Sequence, residues 1–157
     1  MSAIVGFVSL DGRPVAPSTA ARMLDTLAHR GTDAADAWHT DAVALGARFD
    51  RMTPERLNAA PVTSSPDGRY TVVADARLDD RDALARAVGV SPEHSDHALI
   101  ACALGKWGRD APAHLTGDFA FAAWDVAEQQ LFCARDRMGV RPFYYAHLPG
   151  RWFAFAS

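Results

Sequence analysis

The most suggestively placed reactive side chain in this 157-residue sequence is the hydroxyl of Ser2. It lies directly behind Met1, and the apolar run AIVGFVSL follows at 3–10. Removal of Met1 would set the hydroxyl beside its own α-amine, and an amine near pKa 8 can take a hydroxyl proton. The same small residue also suits the plain start of a strand. Ser2 is therefore either an N-terminal nucleophile or a strand-end residue. Other chemistry is sparse. Among the six histidines only His94 and His97 approach metal-ligand spacing, and they flank a helix start, so no metal site is expected. No GxGxxG, GxxxxGK[ST] or GxSxG segment occurs, so neither a phosphate cradle nor a hydrolase elbow is legible. Cys102 and Cys133 are too few for a disulfide framework and read as small buried hydrophobes in a reducing cytoplasm.

Any such chemistry needs elements to hold it. The run at 3–10 is β-branched and apolar, which predicts a buried strand. DGRP at 11–14 is a turn, and Ser18–Thr19 can cap a helix whose apolar positions are Ala20, Met23, Leu24 and Leu27. HRGTD at 29–33 is expected to end that helix with its glycine, and AWHTDAVALGARF at 37–49 to form a hairpin turning at Thr40–Asp41. Three prolines make 51–69 mostly loop. YTVVADARL at 70–78 predicts a strand, and 79–89 a short helix closed by Gly89. The stretch 95–108 predicts a stronger helix, capped by Ser95 or Asp96 and ended by Gly108, with a brief helical turn at DAPAHL. Four strands follow at 117–125, 129–136, 142–148 and 151–157. Their Phe, Trp and Tyr content suggests burial on both faces, as in two sheets packed together with helices outside.

The bulk composition fits one soluble domain. Length, 49% hydrophobic and 22% charged residues are ordinary for a globular chain with a real core. A net charge of −3 with scattered Lys and Arg excludes a nucleic-acid surface. No apolar run approaches the roughly 18–20 residues of a membrane span, and no signal peptide is legible. A cytoplasmic location is the default. FAFAS at 153–157 stops inside an apolar strand, as expected of a cut at a domain boundary.

LTGDFAFAAWD at 115–125 and LFCARDRMGVRPFYY at 131–145 resemble the asparagine synthetase family. So do HRGTD at 29–33, ALGAR at 44–48 and SDHALI at 95–100, in the same order from residue 1 to 157. The resemblance implies a type-2 glutamine amidotransferase-like domain spanning 1–157. Its fold would be α+β: a four-layer αββα N-terminal-nucleophile sandwich of two antiparallel sheets between helix layers. Family members hydrolyse glutamine here and pass ammonia to an ATP-dependent domain carrying a Ser–Gly–Gly–x–Asp–Ser loop. That loop is absent from these residues. ATP and Mg are accordingly expected only in the missing synthetase domain, and no cofactor in this one.

The resemblance also assigns a site, with departures. The family nucleophile is a cysteine at the position of Ser2, and a hydroxyl ionises far less readily than a thiol. Arg48 matches the arginine that binds the glutamine α-carboxylate, although an ordinary surface arginine would read the same. Asp96 matches the aspartate that binds the α-amine, and a helix N-cap is the equal alternative. Where the family has Asn–Gly–Glu, this chain has Asp75, Ala76 and Arg77. An ionised aspartate is acceptor-only and would repel an oxyanion, and loss of one such donor typically costs about 10²–10³ in rate. Arg77 reverses the charge facing the substrate ammonium. Ala76 would crowd the backbone if a positive φ were required. His29, Arg30 and Gly31, with Arg135, Asp136, Gly139 and Pro142, are expected to be architecture, the Arg–Asp pair fixing a turn.

Three functions follow from this reading. The first is a degenerate, glutaminase-inactive domain of an asparagine synthetase-like amide-forming ligase, acting as scaffold for the synthetase part. The segment 74–84 resembles the cysteine-lacking β-lactam synthetase and lasso peptide cyclase members. The second is a Ser2-dependent amidohydrolase, and the third an amino-acid-sensing module. The expected partners are an ATP-pyrophosphatase synthetase domain, C-terminal or separate, and glutamine or another small amide. A homodimer is left open; nucleic acid and membrane are not expected.

Overall fold

A computed structural model describes residues 2–54, 57 and 59–157. Residues 55, 56 and 58, inside the expected loop, lie outside the described residues, as does Met1, whose removal the nucleophile reading requires. Nine strands and three α-helices are described: β1 Ser2–Ser9, α1 Thr19–Thr26, β2 Ala34–His39, β3 Val43–Phe49, β4 Val62–Ser64, β5 Tyr70–Leu78, α2 Arg81–Val88, α3 Asp96–Trp107, β6 Gly117–Asp125, β7 Gln130–Arg135, β8 Tyr144–Leu148 and β9 Trp152–Ala156. A 3-10 segment, Gly108–His114, follows α3.

The strands form two antiparallel sheets, ordered β2-β3-β1-β9-β8 and β4-β5-β6-β7. Strand alternation divides the core into three slabs. Val5 and Ala44 face α1, meeting Ala20 and Leu24. Ile4, Val8, Leu45 and Ala47 face the other way and meet Val73, Ala122 and Trp124 of the second sheet. Val72, Ala74, Ala76 and Leu78 pack with Phe119 and Phe121 against Leu84, Leu99, Ile100 and Leu104 of α2 and α3. The order helix, sheet, sheet, helices is the α+β sandwich expected. No helix among the described residues is long and apolar enough to cross a membrane.

Local signals explain most boundaries. The hairpin joins β2 to β3 around Thr40–Asp41. Gly89 closes α2 in the left-handed conformation, with φ +78. Ser95 caps α3: its side-chain oxygen accepts the Ala98 N–H at 3.3 Å. We therefore expect Ser95→Ala to cost about 1 kcal/mol in urea unfolding, and Ser95→Gly less.

Four expectations need correction. Ser18 sits at the N-cap of α1 but makes no capping bond with its side chain. That helix ends at Thr26, because Leu27 and Arg30 donate to carbonyls three residues back and tighten the chain into turns before Gly31. The loop before β5 contains the short strand β4, held by β5 alone within its sheet. β8 is exposed along its whole length, since it is a sheet edge paired with β9 only; Tyr144 and Tyr145 stand 71% and 69% exposed.

Candidate active site

β1 brings Ser2 to the end of the central strand pair, directly opposite Phe49 of β3, and buries it to 1% exposure. By alternation Ser2 shares the inter-sheet face with Ile4. Phe49 is where several segments meet. The His97 ring at the start of α3 stacks on it, with centroids 5.2 Å apart. Gly31 is pressed onto its backbone so closely that a Cβ there would stand 2.6 Å from the Phe49 Cα and N.

Arg48 is one residue away, on the opposite face of β3, toward α1. Its Nε donates to Gly31 O at 2.8 Å and its Nη1 to Leu24 O at 3.1 Å. Two of its five N–H donors thus hold the end of α1 and the loop after it. Strand register does not turn Arg48 and Ser2 to the same side.

Asp75 is 1% exposed, on the opposite face of β5 from Ala74 and Ala76. It is not a bare charge. Arg30 Nη2 lies 3.8 Å from Oδ2 and Arg141 Nη1 lies 3.4 Å from Oδ1, so two guanidinium groups approach its two oxygens. Both separations exceed the usual hydrogen-bond range and are ion-pair contacts. Sequence reasoning left Arg30 and Arg141 out of the site, the first as architecture. Ala76 lies within a regular strand and is not among the residues of positive φ, so the backbone condition raised for it does not arise. Its methyl packs on the helix side of the sheet.

Arg77 is exposed and engaged by acids. It pairs with Asp79 and, across the ladder, with Asp118 at 3.1 Å; the hydrogen bond to Asp118, then the Asp79 charge, hold its guanidinium pKa above the ordinary value. Asp96 is the first residue of α3 rather than its cap, a position where the helix dipole favours a carboxylate. It is 6% exposed and ion-paired with Arg81 of α2, which also donates to Pro92 O at 3.1 Å and to His94 O. Arg81 and His97 are further residues of this region to which the sequence reading gave no role in the site.

A turn anchored by the buried Asp136 aims Arg141. Asp136 accepts the N–H groups of Val140 at 2.9 Å, Arg141 at 3.1 Å and Phe119 at 3.3 Å. Burial raises its pKa, but the hydrogen bonds from Val140, Arg141, Phe119 and Gly139 outweigh burial and hold it below the usual carboxylate value. Arg135 donates to Gly139 O across the same turn. The Arg–Asp pair therefore does fix a turn, and the turn ends on Arg141. Neither cysteine offers an alternative nucleophile: both are free thiols, burial raises the pKa of Cys102, and it pushes Cys133 up to about 12. No cluster of three or more metal-ligating side chains is found among the described residues.

Comparison with known proteins places this geometry. The family model for the glutamine amidotransferase domain matches residues 1–157. The chain is 34% identical to asparagine synthetase [glutamine-hydrolyzing] 3 of Bacillus subtilis, over all of this chain and 26% of that protein. It is 33% identical to a putative asparagine synthetase [glutamine-hydrolyzing] of Mycobacterium tuberculosis, over 83% of this chain and 22% of that protein. The chain thus spans about a quarter of the length of these relatives. Among solved structures, the glutamine phosphoribosylpyrophosphate amidotransferase of Bacillus subtilis superposes with a TM-score of 0.73 at 18% identity, over 98% of this chain and 41% of that one.

Proposed function

This chain belongs to the glutamine amidotransferase domain family, and from that premise we propose that it is a glutaminase-inactive member serving as the structural half of an ATP-dependent amide-forming ligase. The observation that carries the proposal is the internal pairing of both buried acids of the site. Asp75 is approached by Arg30 and Arg141, and Asp96 is paired with Arg81. By the resemblance, Asp96 would receive the substrate ammonium and position 75 would supply an oxyanion donor. Here the first meets a cation of the chain itself, and the second is an acceptor without a donor to give. Ser2 adds a weaker nucleophile to a site already altered.

The ligase activity would reside in a synthetase region of the kind that makes the relatives about four times longer, and ATP and Mg would bind there rather than here. The absence of the cysteine, together with the segment at 74–84, supports a β-lactam synthetase-like or lasso peptide cyclase-like chemistry over asparagine formation. The nucleophile would then be an amine of the substrate rather than released ammonia.

The test is direct. Met-processed protein is incubated with glutamine and with an electrophilic glutamine analogue. We expect no glutamate release and no mass gain at residue 2. We also expect Ser2→Cys to remain inactive, because the thiol alone does not restore an oxyanion donor worth about 10²–10³ in rate. An adduct at Ser2, or glutamate release abolished by Ser2→Ala, would establish the amidohydrolase instead. Glutamine binding without turnover, lost in Arg48→Ala, would establish the amino-acid sensor.

A further inference from the structure

Two guanidinium groups face one carboxylate at Asp75, which leaves an excess of positive charge there. Arg30 and Arg141 come from segments 111 residues apart in sequence, yet they approach opposite oxygens of the same side chain. Both are held there from behind. Arg30 is fixed by Gly31, which lies against Phe49 and offers its carbonyl to Arg48. Arg141 is fixed by the Asp136 turn through its own N–H. Each side chain is partly open, at 21% and 26% exposure, while Asp75 is sealed. The Nε atoms of both arginines are buried and have no hydrogen-bond partner. A buried charged donor without an acceptor is costly, and most native donors find one.

We propose that Arg30 and Arg141 form a binding site for the carboxylate of a small organic acid, which docks across the two guanidinium groups beside Asp75. Two convergent forks match the two oxygens of a carboxylate, and the planar guanidinium is suited to such bidentate contact. Asp75 offsets one of the two positive charges, so the site selects a monoanionic head and does not act as a deep polyanion trap. This site is independent of turnover at Ser2 and stands whether or not the domain hydrolyses glutamine.

Glutarate titrated into the uniformly ¹⁵N-labelled chain tests it, with the arginine Nε–H cross-peaks as readout and circular dichroism as the check on folding. The cross-peaks of Arg30 and Arg141 are expected to shift and saturate, whereas chloride at equal ionic strength leaves them in place. Arg30→Lys and Arg141→Lys keep the charge but remove the fork, and each is expected to weaken binding roughly tenfold. Asp75→Asn removes the competing carboxylate and is expected to tighten binding by roughly the same factor. Arg86→Lys, on the exposed side of α2, changes nothing. Immobile cross-peaks, an equal response to chloride, or unchanged affinity in Arg30→Lys would each overturn the proposal. Should Arg141→Lys fail to fold, the wild-type cross-peaks and Arg30→Lys still decide. Glutamate release is scored in the same samples, so loss of the inactive-domain reading is seen separately from loss of this site.

Discussion

Replacing Gly31 by alanine is expected to destabilise the domain by about 4 kcal/mol, against a typical total of roughly 5–15 kcal/mol. Two costs add. The residue has φ +77, a conformation that disfavours a side chain by roughly 1–2 kcal/mol. Its missing Cβ would also lie 2.6 Å from the Phe49 Cα and N, and backbone in a strand cannot step aside as a flexible side chain can. Gly89→Ala separates the two. It has nearly the same φ, +78, with nothing within 4 Å, so it carries the conformational cost alone. Urea unfolding of both variants should show Gly89→Ala losing only about 1 kcal/mol. If the two variants lose equal stability, the close approach of the loop to β3 is wrong. Because Phe49 is the register partner of Ser2, Gly31→Ala should also loosen amide-exchange protection at the start of β1.

The second large effect is at Asp136. Removing its carboxylate in Asp136→Ala strands three backbone N–H groups, of Phe119, Val140 and Arg141. The expected loss is roughly 3 kcal/mol, since bonds to a charged acceptor are worth more than neutral ones and buried donors left alone cost more still. Asp136→Asn keeps one acceptor oxygen and should lose less. The pH dependence has a definite sign. The folded-state pKa lies below the ordinary aspartate value of 3.8, so the carboxylate stabilises the fold fully above that value. Its contribution falls away as pH drops through 3.8 toward the lower folded-state value. The gap between wild type and Asp136→Ala should therefore be full at pH 7 and narrow below pH 3.8. A gap independent of pH would mean that the side chain acts by packing alone.

Strand positions were readable where local pattern and packing agree. β5 spans 70–78 as predicted, and α2 ends at the glycine expected to stop it. The reading failed where a partner is distant. The end of α1 depends on Arg48, which lies 24 residues beyond Leu24 and takes its carbonyl. β8 has the composition of a core strand but an edge position, and composition does not state which strands flank which. Within the site, Asp75 was legible as a departure from a motif. Its counter-charges were not, because Arg30 and Arg141 are joined to it only once the sheets are stacked and the Asp136 turn is closed. An arginine in a turn motif looks the same whether it points to solvent or to a buried acid.

The bracketing of β1 by β3 and β9 bears on how the chain reaches this state. β1 pairs with β3 on one side and with β9 on the other, and the Ile4 N–H is taken by the Ser157 hydroxyl oxygen at 3.0 Å, across 153 residues. Such distant pairings place most of the loop-closure entropy ahead of the contacts that offset it, which slows folding. During synthesis the first strand to emerge cannot gain its second neighbour until residues 152–156 have left the ribosome. The β9-facing edge of β1 from Val5 to Ser9 therefore stays unpaired well after its β3-facing edge has found Val43–Phe49.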